Sequence, residues 1–311
     1  AYENRMAVTV APAATAGAPA IATVERHAMS RPFVSRVTTG PQSSAEVVWP
    51  EQRPGDPFLT LVGSIPLRAK PTQVLASAGN PTLWFATVLR DRLQQAGIQV
   101  QGEAVDIDEA RPAPARTGTT LYVHRSPALS AILQPMLKNS VNLYAEAVLR
   151  LNAPRGGPAT MDAALDGLRR RLAGWGVAID ALQLVDGSGV SRRSVVSADA
   201  MCAVLKRMHA PAAGSPFVQA LPLAGVDGTL LERMRGTPAA GNVRAKTGTM
   251  SNVRALAGYA TTRDGEPLAF AIIANNFEGS GDAATQAIDA MVVALAGFRR
   301  DTAAPARNST R

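Results

Sequence analysis

The chain has 311 residues, 46% of them hydrophobic, which is enough to bury a large core and suggests about two domains. No window approaches the roughly 20 consecutive apolar residues of a membrane-spanning helix, so we expect no transmembrane segment. The formal net charge is +8, but the arginines are scattered and aromatic residues make up only 5%, so the pattern does not favour a nucleic-acid partner.

Cysteine and histidine usage argues against a metal site. The single cysteine, Cys202, lies in the helical pattern ADAMCAVLKRM and excludes both an internal disulfide and a thiolate metal site. The three histidines, His27, His124 and His209, are far apart and match no ligand spacing. We therefore expect no metal site.

The first part of the chain is rich in short β-like runs broken by Pro, Gly and Ser, such as MAVTVAP, FVSRVTTG and FLTLVGSIPL. One helix interrupts them. Asn80 is placed as its N-cap, Pro81 as its first residue and Gly97 as its stop. The run IQVQGEAV at 98–105 predicts a further strand.

The run RPAPARTGT at 111–119 is typical of a linker, which sets a predicted boundary after 118. Residues 1–118 would then form a β-rich region with one helix. Residues 119–300 would form a second domain, and 301–311 a disordered tail.

The second region has longer helical patterns. Ser126-Pro127 opens LSAILQPMLK, residues 139–142 interrupt, and LYAEAVLRL continues as another helix. Residues 160–174 have an amphipathic helical period, and Ser197 is placed as the cap of the helix containing Cys202.

The last third predicts an antiparallel meander followed by a helix. VRAKTG and VRALAGYATT are strands, Asp264-Gly265 marks a turn, PLAFAIIANN is a third strand, and DAATQAIDAMVVALAGF closes the domain. An antiparallel sheet flanked by helices indicates an α+β fold.

Two short motifs carry the chemical interpretation. Lys246-Thr247-Gly248 places an ammonium, a hydroxyl and a residue without a side chain on the first strand of the meander, a combination suited to binding a carboxylate. Ser140-Val141-Asn142 lies in the corner between two helices, where Ser or Asn alone would be typical of a helix cap. Their order and their separation of about a hundred residues match two of the three motifs of penicillin-binding proteins and serine β-lactamases.

Longer stretches around these motifs make the resemblance specific. PMLKNSVNLYAEAVLR, LVDGSGVSRRSVVSA and LPLAGVDGTLLERMRGTPAAGNVRAKTGTMSNVRALAGYATT resemble the D-alanyl-D-alanine carboxypeptidase/endopeptidase family, the low-molecular-mass class C penicillin-binding proteins. Residues 120–298 carry this resemblance. The first 120 residues are more loosely similar to the accessory insertion of that family. The resemblance implies a penicillin-binding/β-lactamase-like catalytic domain with a β-rich insertion.

The resemblance also implies residue roles. Lys246 and Thr247 would hold the substrate carboxylate, and Ser140 would relay a proton towards the leaving amine. Asn142 would bind the acyl amide of the substrate, and Thr249 would contribute a backbone N–H to the oxyanion hole.

Three further residues complete the implied site. Gly248 would leave room for the substrate backbone, and Lys138 would be a flanking contact. Asp186 would either border the site or simply close a structural loop. The implied partners are peptidoglycan peptides that end in D-Ala-D-Ala, with β-lactams as inhibitors, and the implied compartment is the periplasm or cell envelope.

The family's first motif, Ser-x-x-Lys, which carries the nucleophile, does not occur in this sequence. The chain has four lysines, Lys70, Lys138, Lys206 and Lys246. The residues three positions before them are Leu67, Pro135, Ala203 and Val243. We therefore expect a catalytic domain that is incomplete at its N-terminus, and we expect this chain alone to be inactive.

Two other functions stay open at the level of the sequence. One is a β-lactamase or esterase of the same fold. The other is a non-catalytic cell-wall-binding homologue that keeps the peptide cleft.

Overall fold

The protein is described by a computed structural model covering residues 5–24, 33–51, 58–110, 119–209 and 215–300. The chain divides into two compact units, Ala1–Val123 and His124–Arg311. Both contain strands and helices, which confirms the predicted α+β class. The predicted boundary after 118 stays a prediction, and the predicted linker at 111–118 and tail at 301–311 lie outside the described residues.

The first unit contains two three-stranded sheets. Its strands are β1 Arg5–Ala11, β2 Ile21–Val24, β3 Phe33–Gly40, β4 Val47–Glu51, β5 Leu59–Pro66 and β6 Thr72–Ser77. The sheet β2-β1-β6 is antiparallel, whereas in β3-β5-β4 the pair β3–β5 is parallel. Met6, Val8 and Val10 are fully buried at alternate positions of β1, the period expected when one face of a strand meets the core.

Helix α1, Pro81–Gln95, is the predicted helix of this unit. The Leu83 N–H donates to the Asn80 side chain at 3.0 Å, which confirms Asn80 as the N-cap. The predicted strand at 98–105 is wrong, because this segment is an irregular loop. Just after this loop, the Asp106 carboxylate accepts a hydrogen bond from the Asn80 amide at 2.7 Å, which ties the loop to the start of α1.

The second unit packs helices against one antiparallel sheet. Its helices are α2 Leu129–Lys138, α3 Asn142–Arg150, α4 Met161–Gly174, α5 Ala198–His209, α6 Pro216–Ala220 and α7 Gly281–Gly297. Its strands are β7 Arg244–Met250, β8 Val253–Thr261 and β9 Pro267–Asn275, in the order β7-β8-β9. The predicted meander and closing helix are confirmed, as is the Ser197 cap, whose hydroxyl accepts from the Ala200 N–H at 3.1 Å. Helix α2 begins three residues after Ser126, without a side-chain cap.

The two faces of this sheet bury different helices. Leu256 of β8 faces α7, where it packs in one cluster with Ile288 and Val292. The next residue, Ala257, points to the opposite face and packs with Leu137 of α2 and Leu205 of α5. Because neighbouring residues of a strand point to opposite faces, each side chain of β7 is directed either towards α7 or towards α2 and α5.

We predict that Leu256→Ala destabilises the second unit by about 2–5 kcal/mol, because it opens a cavity at a fully buried position between β8 and α7. The matched control is Leu231→Ala, at a leucine that is 43% exposed, with an expected cost of about 0.5 kcal/mol or less. Amide hydrogen exchange in β7–β9 measures both effects. An equal loss of unfolding free energy in the two variants would contradict the burial of Leu256 between β8 and α7.

Candidate active site

The corner between α2 and α3 places Ser140 in an unusual backbone conformation. Ser140 has φ +57°, in the left-handed region that costs a residue other than glycine about 1 kcal/mol or more. The Val141 N–H donates back to the Met136 carbonyl at 3.2 Å, the closure of a Schellman motif, and the Val141 side chain is buried. The turn therefore ends α2, and α3 begins at Asn142.

The Lys246 ammonium reaches this corner from the sheet. Lys246 lies opposite Ala257 in the β7–β8 ladder, so its side chain points to the face that α2 covers. It donates to the Ser140 hydroxyl at 2.8 Å and to the Thr247 carbonyl at 2.9 Å. The structure thus brings together two predicted residues that are 106 positions apart in sequence.

Burial sets the electrostatic character of Lys246. Removal from water lowers the pKa of the Lys246 ammonium below its ordinary value of 10.5. Within the described ranges, no carboxylate forms an ion pair with it. The ammonium is therefore a partly buried cation that donates its hydrogen bonds to a neutral hydroxyl and a carbonyl.

The neighbouring residues of β7 line the outer edge of the sheet. Thr247 points to the opposite face from Lys246 and donates its hydroxyl to the Thr229 hydroxyl at 3.0 Å. The Ala245 N–H points outward, to the Pro222 carbonyl at 3.0 Å. Because N–H groups alternate along an antiparallel strand, those of Thr247 and Thr249 face the same outer edge.

Gly248 and Asn142 each follow by two residues one of the two residues in the Lys246–Ser140 contact. Gly248 is paired with Ala255, and a methyl group added to it would lie 3.3 Å from the Ala255 side chain. Asn142 is exposed at the first turn of α3, two residues after Ser140. The predicted roles of Gly248 and Asn142 in substrate binding stay predictions.

Lys138 forms an ion pair that the sequence analysis did not anticipate. Its ammonium donates to the two carboxylate oxygens of Asp227 at 2.8 and 2.7 Å and to the Leu221 carbonyl at 2.8 Å. Burial on its own would raise the pKa of Asp227, but the hydrogen bond and charge of Lys138, with the Leu223 N–H, hold it below 3.8. Asp227 and Thr229 were missed, although the Asp-Gly turn inside the quoted stretch LPLAGVDGTL could have indicated a polar anchor.

Asp186 is bound within its own loop. Its carboxylate accepts from the Ser191 N–H at 2.7 Å and from the Ser194 hydroxyl at 2.6 Å. A second carboxylate, Glu146 of α3, binds the same loop through the Ser188 N–H at 2.9 Å. These contacts describe a structured loop beside α3, and a role of Asp186 at the border of the site stays a prediction.

The arrangement as a whole suits an anionic ligand. A partly buried ammonium, the hydroxyls of Ser140, Thr247 and Thr229, and outward amides lie on or beside one edge strand, and such donors stabilise a carboxylate or an oxyanion. Among the described residues, no cluster of three or more His, Cys, Asp or Glu could hold a metal ion. The same residues include no helix long and apolar enough to cross a bilayer.

Comparisons with known proteins point to one family. A model of the D-Ala-D-Ala carboxypeptidase 3 (S13) family matches residues 1–298. A D-alanyl-D-alanine carboxypeptidase of Actinomadura sp. (strain R39) is 36% identical over 270 residues, which cover 85% of this chain and 49% of the relative. The D-alanyl-D-alanine carboxypeptidase DacB of Haemophilus influenzae is 30% identical over 224 residues, which cover 71% of this chain and 46% of that relative. The chain thus spans about half the length of these curated relatives.

A solved structure has the same fold. Penicillin binding protein 4 (dacB) from Haemophilus influenzae, complexed with a novel β-lactam, gives a TM-score of 0.73 at 24% identity, covering 89% of this chain and 64% of that one. This similarity confirms the penicillin-binding fold predicted from the sequence.

We predict that the Lys246 ammonium titrates below pH 10.5. The folded state then gives up this proton before the unfolded state does, so the free energy of unfolding rises with pH between the folded pKa and 10.5. With only four lysines, ¹³Cε-lysine labelling and NMR can follow each ammonium, and the signal lost in Lys246→Arg identifies the relevant one. A Lys246 pKa at or above 10.5 would contradict an ammonium that is partly buried and has no carboxylate partner.

Proposed function

The chain belongs to the D-Ala-D-Ala carboxypeptidase (S13) family, and from this premise we propose that it is the substrate-binding part of a serine-type D-Ala-D-Ala carboxypeptidase/endopeptidase acting on peptidoglycan stem peptides. The observation that carries the proposal is the 2.8 Å hydrogen bond from the Lys246 ammonium to the Ser140 hydroxyl. It joins the two motifs into one cationic site, and the substrate of this reaction ends in a carboxylate.

The proposed binding mode places the terminal carboxylate of the peptide at β7. The Lys246 ammonium attracts it, and the Thr247 hydroxyl donates a hydrogen bond to it. Gly248 leaves space for the peptide backbone. The Asn142 amide binds the acyl amide of the substrate, and the outward Thr249 N–H is one donor of the oxyanion hole.

The proposed reaction passes through an acyl-enzyme. A serine hydroxyl attacks the carbonyl carbon of the penultimate D-Ala, the peptide bond breaks, and the terminal D-Ala leaves as an amine that takes up a proton. Ser140, held by Lys246, relays this proton towards the leaving amine, which is the usual task of a general acid. Water then hydrolyses the ester and releases the shortened peptide.

The attacking serine is not assigned to a residue of this chain. No Ser-x-x-Lys occurs in its 311 residues, and such a motif sets a lysine base one helical turn from the nucleophile. We therefore propose that the chain alone does not form the acyl-enzyme. The Lys246 site supplies the carboxylate and proton-transfer groups, and the nucleophile is supplied from outside these residues.

The same site accounts for the proposed partners. β-Lactams carry a carboxylate beside a reactive amide, so Lys246 and Thr247 would bind them as they bind the peptide. Because the proposed substrate is peptidoglycan, the proposed location is the periplasm or cell envelope. The proposed mechanism uses neither a metal nor an organic cofactor, and it does not involve nucleic acid.

We predict that Ser140→Ala lowers kcat/KM for D-Ala release by about 10²–10⁴-fold, because general acid–base groups contribute effects of this size. The measurement uses the gene product that contains this chain and a peptide ending in D-Ala-D-Ala. Ser130→Ala is the matched control, since Ser130 is exposed on α2, the helix that ends just before Ser140. Unchanged activity in Ser140→Ala would contradict the proposed role.

We also predict that purified residues 1–311 form no penicilloyl adduct and release no D-alanine, since the chain has no Ser-x-x-Lys. Labelling with a fluorescent penicillin followed by denaturing electrophoresis tests this directly. A covalent, denaturation-resistant band would show that another residue of this chain acts as the nucleophile.

A further inference from the structure

The segment 221–230 connects the corner that carries Ser140 to the strand that carries Lys246. On the strand side, its Ala224 N–H donates to the Val243 carbonyl at 2.9 Å, just before β7, and Pro222 accepts from the Ala245 N–H. On the helix side, the Lys138 ion pair fixes Asp227 to the last residue of α2. The segment is therefore attached at both ends of the contact between Ser140 and Lys246.

Close backbone packing adds to the ion pair. Gly228 has φ +57°, and a methyl group built on it would lie 2.7 Å from the Lys138 carbonyl. Such a distance is too short for any side chain against backbone, so a glycine is required for this approach. The Lys138 ammonium thus holds Asp227, and the Lys138 backbone packs against Gly228. Together these two contacts fix the position of the next residue, Thr229.

The hydroxyls of Thr229 and Thr247 share a single hydrogen bond of 3.0 Å. Each hydroxyl has one proton and can both donate and accept, so one proton lies between the oxygens and the other is free to point elsewhere. When Thr229 donates to Thr247, the Thr247 proton is directed away from Thr229 and towards an approaching anion. Chains of this kind strengthen the terminal hydrogen bond, because each hydroxyl polarises the next.

We propose that Thr229 is a positioning residue for the substrate carboxylate. In the structure Thr247 donates to Thr229. When a carboxylate binds, both hydroxyls rotate, so that Thr229 donates to Thr247 and Thr247 donates to the carboxylate, while the Lys138–Asp227 ion pair with Gly228 holds Thr229 in place. This inference rests on the proposed function, since it assumes that the anion bound at Thr247 is the C-terminal carboxylate of a peptide. Thr229 is exposed, so its hydroxyl is not needed for the packing of the core.

Two ligands distinguish recognition of the terminal carboxylate from binding of the rest of the peptide. Acetyl-D-alanyl-D-alanine and its C-terminal amide differ only in the charged group, and the ¹³Cε signal of Lys246 in the 311-residue chain reports the binding of each. We expect Thr229→Val to weaken binding of the acid about three- to tenfold, the effect of one lost hydrogen bond, and to leave binding of the amide unchanged. Thr229→Ser should restore the affinity for the acid, and Thr261→Val, at an exposed threonine ending β8, should change neither.

The ion pair is tested by removing both charges together. Lys138→Gln combined with Asp227→Asn leaves no uncompensated charge behind, so it tests the position of Thr229 with less risk to folding than either single change. We expect the same selective loss of acid binding as in Thr229→Val. Adding Thr229→Val to this double variant should cause no further loss, because both changes act through the same hydroxyl.

The outcomes distinguish this inference from the proposed function. If the unaltered chain prefers the acid and Thr229→Val keeps that preference, Thr229 has no positioning role, while the carboxylate site stands. If the unaltered chain does not bind the acid more tightly than the amide, the carboxylate site of the proposed function is wrong, and the role of Thr229 is wrong with it.

Discussion

The partly buried Lys246 ammonium, which has no acidic partner among the described residues, is the constraint on which the candidate site depends. Removing a cation from water is costly unless an opposite charge compensates it, and here the ammonium donates to the Ser140 hydroxyl and the Thr247 carbonyl. The corner that supplies Ser140 adds a left-handed backbone conformation at a serine. Both costs are met by the surrounding fold, and an anionic ligand would relieve the first of them. A site of this kind is organised before the ligand arrives, which is how an enzyme stabilises charge without rearranging during the reaction.

Lys138 shows what a different environment does to the same side chain. Two residues before Ser140, it is neutralised by Asp227 and bonded to a backbone carbonyl, so it stabilises structure and offers no charge to a ligand. The pair attaches the segment 221–230 to α2, and this segment is also bonded to the start of β7. The ion pair of Lys138 thereby helps to hold Lys246 at the Ser140 hydroxyl.

The sequence predicted those features that local pattern or motif resemblance determines. The three strands of the second unit and the Asn80 and Ser197 caps belong to this class. The motif resemblance selected Ser140 and Lys246 separately, and the hydrogen bond between them was not among the predictions. Asp227, Thr229 and Glu146 were missed because their roles come from contacts between distant segments, and a Thr or Glu in a single sequence carries no sign of such a partner. The strand predicted at 98–105 failed for a related reason. Its apolar pattern was adequate, but a strand also needs a neighbouring strand, and Asp106 anchors this segment as a loop.

A structure of the protein with bound acetyl-D-alanyl-D-alanine would test the central claim most directly, namely that Lys246 and Thr247 receive a C-terminal carboxylate. The account predicts a carboxylate oxygen within about 3 Å of the Thr247 hydroxyl and within about 4 Å of the Lys246 ammonium, ordinary distances for a hydrogen bond and an ion pair. A peptide bound with its carboxylate away from β7, and with the Lys246–Ser140 contact unaltered, would contradict it.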